Sequence, residues 1–478
     1  MRLLSRKWVW TLVTLFWRNW LTSLGSILAT FSALSIIAFV ALGFLGLDTP
    51  YLGVMAFLVM PALFIVGLFL IPIGLHYDRK KRATRQDEPE LYPVFDFNQP
   101  RLRRMAGVVA VLTAINLMIL SFVSYQGVVF MDSVAFCGTT CHTVMEPEYT
   151  TYLNSPHSKV KCVECHIGAG APWFVRSKLS GVGQVLAVAF NTYSRPVPSP
   201  VENLRPARDT CEQCHWPERF TGNRIKVITK FAEDESNTET KTVLLLHIGG
   251  GATGQGGIHS WHIDPKKETT YITTDPRREV IPWIHVREAD GTVHEFVARE
   301  GAPTAEQLAK GQKRTMDCID CHNRPTHIFK LPDQAMDESL AAGRIDRSLP
   351  YIKKVGVEAL KQATGPKQEA LEKIARRVRD HFQQNYPELV ISKKPAIEAA
   401  IEEIQAIYRR NIFPSMNVTW GTHPDHIGHE RFPGCFRCHD DQHVSKTGKT
   451  ISQDCSLCHT ILAQDEQDPE VLKQLEIK

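Results

Sequence analysis

The 478-residue sequence has no cysteine that stands alone. All 12 cysteines fall into six close pairs, which excludes a solitary nucleophilic thiol. The glycine-rich run at 249–257 lacks the Gly-Lys-Ser/Thr ending of a phosphate-binding loop, and no Ser/His/Asp arrangement is recognisable. The 55 basic and 51 acidic residues nearly balance, so nothing predicts nucleic-acid binding. The chemistry must therefore come from the cysteine pairs.

A histidine follows every cysteine pair immediately. Five pairs read CxxCH, whereas the first reads Cys137-Gly-Thr-Thr-Cys141-His142. Structural zinc or disulfides would explain the pairs but not the histidines, whereas covalent c-type haem explains all three positions. The sequence therefore predicts six haem c groups, with thioether bonds to Cys137, Cys141, Cys162, Cys165, Cys211, Cys214, Cys318, Cys321, Cys435, Cys438, Cys455 and Cys458 and axial iron ligands at His142, His166, His215, His322, His439 and His459.

Three stretches lack charge over at least 25 residues, at 19–47, 51–75 and 105–131. Since about 20 apolar residues cross a bilayer core, these stretches predict three transmembrane helices. The first is too long for a cleavable signal peptide, and no convincing cleavage site follows it. Residues 7–20, with four tryptophans beside basic residues, predict an interfacial helix on the inner leaflet.

Basic residues predict the orientation of these spans. The first 130 residues carry 12 basic and 6 acidic residues. The basic residues lie before the first span and between the second and third spans. The positive-inside rule then places the N-terminus in the cytoplasm and everything after about residue 131 on the outer side. Haem c is attached outside the cytoplasm, so the two signals agree on a bacterial inner-membrane protein with a periplasmic haem domain.

Residue composition and periodicity divide the chain into six parts. The predicted fold is multidomain: three transmembrane α-helices plus a mostly α/irregular multihaem domain with a β-rich insertion, in which alternating runs such as "RIKVITKF" predict strands. Apolar stripes on 370–382 and 397–408 predict two packed helices. The predicted parts are a membrane domain at 1–130, a three-haem module at 131–224, the β insertion at 225–310, a fourth haem segment at 311–335, a helical hairpin at 336–414 and a two-haem module at 415–478.

Six haems require further ligands on their second faces. Histidines close to the motifs are the natural candidates: His157, His259, His262, His327, His429 and His443, with His423 and His426 as weaker ones. Predicted strands carry His247, His285 and His294, which read instead as surface or core residues, and His381 reads as a helix residue. Bis-histidine iron is saturated, which favours electron transfer over substrate chemistry.

Residues 136–222 resemble the NapC/NirT family of membrane-anchored, quinol-oxidising cytochromes c, through "FCGTTCHTVMEPEY", "SPHSKVKCVECHIG", "FVRSKLSG" and "TCEQCHW". The resemblance implies a first haem beside a quinol pocket, a methionine ligand that corresponds to Met145, and a quinol-site lysine that corresponds to Lys178. Whether His142 or Met145 binds the first iron stays open. The family's usual acidic residue is absent at 183–185. The three-span layout is similar to the larger ImcH-like multihaem cytochromes of metal-respiring bacteria, which usually carry seven motifs.

These features predict an electron-transfer protein with quinol:cytochrome c oxidoreductase activity in anaerobic respiration. It would take electrons from the membrane menaquinol pool and deliver them to periplasmic c-type cytochromes or reductases. The alternatives are a terminal reductase of nitrite, hydroxylamine or a similar oxidant, and the same chain run in reverse as a quinone reductase. A reductase needs an open iron position, often marked by a CxxCK motif, and all six motifs keep histidine. A sensor lacks a recognisable output domain.

Overall fold

The computed structural model describes residues 19–44, 55–85, 98–168, 170–201, 205–216, 222–249, 256–300 and 302–476. The interfacial helix predicted at 7–20 lies almost entirely outside the described residues. Residues 1–140 and 141–478 form two compact units.

The first unit is built from apolar helices. Its elements are α1 (Trp20–Phe44), α2 (Met60–Arg85, preceded by a turn of π-helix), α3 (Pro100–Met131) and α4 (Val134–Thr139). Among the described residues, three helical stretches are long and apolar enough to cross a membrane: Trp20–Phe39, Met60–Asp78 and Leu102–Met131. They confirm the three predicted spans.

Helices α1 and α2 pack closely through small residues. An added Cβ at Gly25 would lie 2.7 Å from the Gly67 carbonyl oxygen, so only glycine allows this approach. At one end of the pair, Asn19 Nδ2 donates to the Gly74 carbonyl oxygen at 2.8 Å. Small residues and a polar cross-link are how helices associate in lipid, where burial of apolar surface gives no driving force.

The second unit combines short helices with two antiparallel sheets. The helices are α5 (His142–Leu153), α6 (Cys162–His166), α7 (Ala171–Ala189), α8 (Ala207–Cys211), α9 (Ile258–His262), α10 (Ala305–Lys310), α11 (Cys318–Cys321), α12 (Pro332–Ala341), α13 (Ile352–Gln362), α14 (Lys367–Asn385), α15 (Pro387–Ser392), α16 (Lys394–Asn411) and α17 (Glu470–Gln474). The strands are β1 (Asn223–Phe231), β2 (Glu239–His247), β3 (Glu268–Thr273), β4 (Trp283–Arg287), β5 (Val293–Ala298), β6 (Gln312–Thr315), β7 (His443–Ser445) and β8 (His459–Glu466).

The sheets join distant parts of the chain. One has the strand order β1-β2-β8 and the other β6-β3-β4-β5-β7. Strands β7 and β8 come from the C-terminal part, which sequence reasoning treated as a separate two-haem module. The β region therefore extends beyond the predicted 225–310, because short strands beside a Cys/His motif carry little periodic signal of their own.

Helices α12 to α16 form a bundle with an apolar core. The fully buried side chains include Met336, Ile374, Phe382 and Ile404. The stripe on α14 is buried along its length, as are the five stripe residues on α16. Residues 332–411 form five helices, and α14 and α16 are the two that the apolar stripes predict. Prolines lie in the first turn of α12, α15 and α16, where the missing N–H costs no helix hydrogen bond.

Candidate haem-binding sites

The described cysteine pairs lie on short helices or tight turns. The second and fourth pairs begin α6 and α11, the third begins at the last residue of α8, and the fifth and sixth lie on 3₁₀ turns. At the fourth, the Asp317 carboxylate accepts from Cys318 N at 2.6 Å, and Asp320 Oδ2 accepts from Asp317 N at 2.7 Å. This reciprocal cap fixes the turn that carries both cysteines.

Five of the six motif histidines face a second histidine from elsewhere in the chain. The ring centroids are 6.3 Å apart for His166 and His327, 5.9 Å for His215 and His157, 6.5 Å for His322 and His259, 5.9 Å for His439 and His262, and 6.1 Å for His459 and His429. Each pair combines one motif histidine with one of the predicted second-face candidates.

These separations suit a metal held between two imidazoles. A metal–imidazole bond is about 2 Å long and the ring centre lies about 1 Å beyond the nitrogen, so two coaxial ligands place their centroids about 6 Å apart. The observed range of 5.9 to 6.5 Å fits that requirement. The residues present therefore fit the iron of a c-type haem between each pair.

Backbone carbonyls orient four of these rings. Nδ1 of His157 lies 3.1 Å from Pro325 O, that of His327 2.9 Å from Glu148 O, that of His262 2.6 Å from Ile258 O and that of His439 2.8 Å from Ser452 O. Because a carbonyl oxygen only accepts, Nδ1 carries the proton and Nε2 keeps its lone pair. Burial, with smaller effects from His166 and Arg324, lowers the pKa of His327 to about 4, which keeps the ring neutral.

Two predicted ligand positions differ from these pairs. His443 is buried, with Nδ1 2.8 Å from Asp440 Oδ1 and Nε2 2.6 Å from Ile281 O. Both ring nitrogens have hydrogen-bond partners, so we do not retain His443 as an iron ligand. The sequence made it a candidate only because it lies close to the fifth motif. At the first motif, the side chain of His142 lies outside the described residues, and Met145 follows one helical turn later on α5.

The attachment segment of each motif is the stretch from its first cysteine to its histidine, numbered in chain order. The second to sixth segments are spatial neighbours in that order. Cys165 of the second lies near Cys211 and Cys214 of the third. Cys211 of the third lies near Cys318 of the fourth, and Ala207 N at the start of α8 donates to Asp317 Oδ2 beside Cys318 at 2.7 Å. Cys321 of the fourth lies near Cys435 and Cys438 of the fifth, and Cys435 lies near Cys458 of the sixth. Segments two to six thus form one continuous series.

A buried charge network connects the third, fourth and fifth segments. Asp317 Oδ2 accepts from Ala207 N at 2.7 Å, which ties the fourth segment to α8. Arg437, inside the fifth motif, donates to Asp320 O at 2.6 Å. The Asp320 carboxylate accepts from Tyr271 Oη at 2.5 Å. Sequence reasoning missed this network, although an acidic residue inside one motif and a basic residue inside the next were a usable signal.

A cleft of about 1500 Å³ adjoins these segments. Its lining includes His262, Arg278, Arg314, Asp317 and Ile319. Typical cofactor pockets measure about 300–1,000 Å³. The cleft therefore has room for large prosthetic groups beside the fourth segment and beside His262, which faces His439 of the fifth motif.

The predicted quinol-site residue Lys178 lies on α7, with Nζ 4.8 Å from the centroid of the Phe174 ring. The same helix exposes a row of apolar side chains at helical spacing: Val175, Leu179, Val182, Leu186 and, just beyond the helix, Phe190. An apolar row with basic residues beside it is typical of helices at a membrane surface.

Comparison with known proteins agrees with this geometry. Residues 99–197 match the model of the NapC/NirT cytochrome c family, N-terminal region. The chain is 46% identical over 450 residues to the cytochrome c-type protein ImcH of Geobacter sulfurreducens, which covers 93% of this chain and 88% of that relative. It is 23% identical over 121 residues to the cytochrome c-type protein NrfH of Wolinella succinogenes, covering 25% of this chain and 68% of that protein. No solved structure matches. The chain therefore belongs to the ImcH-like, membrane-anchored multihaem c-type cytochromes, which carry a NapC/NirT region.

Proposed function

We propose that this chain oxidises menaquinol in the bacterial inner membrane and passes the electrons to periplasmic c-type cytochromes or reductases. In this proposal the N-terminus is cytoplasmic, residues 131–478 are periplasmic, and six haem c groups are bound. The observation that carries the proposal is the series of histidine-paired attachment segments, neighbours in the order two to six.

The paired histidines of the second unit have a defined role in this proposal. Haem c, once bound, supplies one-electron redox chemistry. The ten paired histidines would hold the iron at five sites, and the backbone carbonyls at Nδ1 of His157, His262, His327 and His439 orient four of these rings. An iron held by two histidines would have no open position for a substrate oxidant, which argues against the terminal reductase.

Helix α7 supports the proposal that quinol is oxidised at the membrane surface. Its exposed apolar row suits contact with the bilayer surface, where a quinol headgroup resides. Quinol oxidation releases two protons with two electrons, and Lys178 places a polar, proton-exchanging group on that helix. Met145, or His142 one turn earlier, would hold the iron of the first site.

The test is anaerobic reduction of the purified protein in liposomes by a menaquinol analogue. We expect Lys178→Ala to slow reduction by at least about tenfold, since loss of a positioned proton-transfer group costs that much or more. The control is Lys446→Ala, whose lysine is 89% exposed and pairs with Glu295. Dithionite should reduce all three proteins equally. Equal quinol rates for the two variants would remove Lys178 from the proposal, and a wild type reduced by dithionite but not by quinol would overturn it.

A further inference from the structure

A second cavity, of about 220 Å³, lies beside the fourth attachment segment. Its walls are formed by residues 196–200, 276–278 and 422–424 together with Ile319, Asn323, Arg324 and His426. It shares Arg278, Ile319 and the proline-rich 198–200 wall with the large cleft. The volume is enough for several groups of water size, each about 30 Å³.

The lining of this cavity is cationic. It contains Arg277, Arg278 and Arg324, and none of the described residues that line it is acidic. Arg278 is buried and forms an ion pair with Asp320, whereas Glu148 and Asp425 act on Arg324 only through space, from outside the cavity wall. A buried guanidinium needs an anionic partner to offset its desolvation.

Several buried nitrogens around the cavity have no hydrogen-bond partner among the described residues. They are Nε of Arg278, Nε of Arg324, Nε2 of His423 and both ring nitrogens of His426. Arg324 Nη2 lies 2.9 Å from His423 Nδ1 and can only donate, so the neutral His423 ring carries its proton on Nε2. Among the described residues, at least three N–H donors therefore lack an acceptor. Such donors destabilise a fold unless an acceptor fills the space.

The loop that carries both histidines is held firmly against the fourth segment. Asn323 Nδ2 donates to Pro424 O at 2.9 Å, and His426 N donates to Asn323 Oδ1 at 2.9 Å. Arg324 Nη2 also donates to Ser199 Oγ at 2.7 Å. The donors are thus fixed before any ligand arrives, as in a preorganised binding site.

We propose that this cavity binds an anionic oxygen group, held by Arg324, Arg278, His423 and His426. The source that the geometry favours is a propionate carboxylate of a haem attached at a neighbouring segment, since the cavity shares a wall with the large cleft. The other source of the same chemistry is a free oxyanion such as sulfate or phosphate. The inference goes beyond quinol oxidation and does not depend on it.

The experiment compares wild-type holoprotein with Arg324→Gln and His426→Gln. The matched control is Arg377→Gln, a half-exposed arginine on α14 that pairs with Glu358. Two measurements are made: potentiometric titration of the haems at low and high sulfate or phosphate, and reduced-minus-oxidised infrared spectra in the carboxylate region. Haem content and thermal unfolding are recorded for each variant, and His426→Gln keeps the test usable if Arg324→Gln fails to fold.

Propionate binding predicts that both variants shift the carboxylate bands and that Arg324→Gln lowers one midpoint potential, because a lost cation disfavours the added electron. The control should change neither, and added anion should have no effect. A free oxyanion predicts a wild-type potential that depends on sulfate or phosphate, with that dependence lost in the variants. Variants that match the wild type in bands, potentials and anion response would overturn the proposal.

Discussion

The helical bundle at 332–411 and the attachment segments bury different kinds of side chain. The bundle fills its interior with side chains such as Ile374, Phe382 and Ile404, as an ordinary globular domain does. The attachment segments bury arginine, aspartate and histidine, and their facing rings stand about 6 Å apart, near the spacing that an iron between them needs. One region is complete as a polypeptide, whereas the other is a frame for prosthetic groups.

Production of the chain without haem attachment should separate the two regions most strongly. We expect the attachment segments to lose their structure, because paired histidines and buried charges do not form a core on their own. The bundle should remain helical, since its core needs no cofactor. Limited proteolysis with mass spectrometry should yield a protected fragment that includes 332–411. Equal protection of 205–330 in the haem-free chain would contradict this contrast.

Gly434→Ala should disable one attachment segment without touching the bundle. Gly434 has a φ of +49°, and an added Cβ would lie 1.8 Å from the Gly428 carbonyl oxygen. The turn before Cys435 would have to move, and His429 would move with it. Haem content, measured as the pyridine haemochrome, should fall by one group. Gly448→Ala is the control, since Gly448 also has a positive φ but faces open space; a full haem complement in both variants would show that the turn tolerates the shift.

Phe382→Ala tests the bundle alone. Truncation of this fully buried ring should lower the free energy of unfolding of the bundle by about 3–5 kcal/mol, from lost transfer energy and the cavity left behind. Haem content and midpoint potentials should stay unchanged. Ile391→Ala, at a side chain 86% exposed on α15, should change stability by less than about 0.5 kcal/mol. A shift of the potentials in Phe382→Ala would mean that the two regions are coupled.

His443→Ala should give the smallest effect and sharpen the assignment of ligands. Loss of its two buried hydrogen bonds should cost about 1–3 kcal/mol, while every low-spin iron signal in the EPR spectrum remains. His429→Ala should instead convert one low-spin signal to high spin. A ligand-loss signal in His443→Ala would restore that residue as an iron ligand.

The sequence was informative wherever the signal was local. The motifs give the attachment cysteines, charge-free runs give the spans, and apolar stripes give α14 and α16, because each pattern lies within a short window. The pairing of His166 with His327, or of His439 with His262, joins positions far apart in the chain, so spacing could supply candidates but no partners. For the same reason the sequence predicts strands only in the 225–310 insertion, whereas each sheet also takes a strand from the predicted two-haem module at 415–478.

Strands β7 and β8 have a consequence for the timing of assembly. Each sheet takes its last strand from residues 443–466, after the bundle and the first four attachment segments. Before that stretch has been synthesised, β2 and β5 each lack one neighbouring strand. His262 and His429 likewise lack the histidines that face them, His439 and His459. Residues 439–466 therefore complete both sheets and two of the histidine pairs whose first members come earlier in the chain.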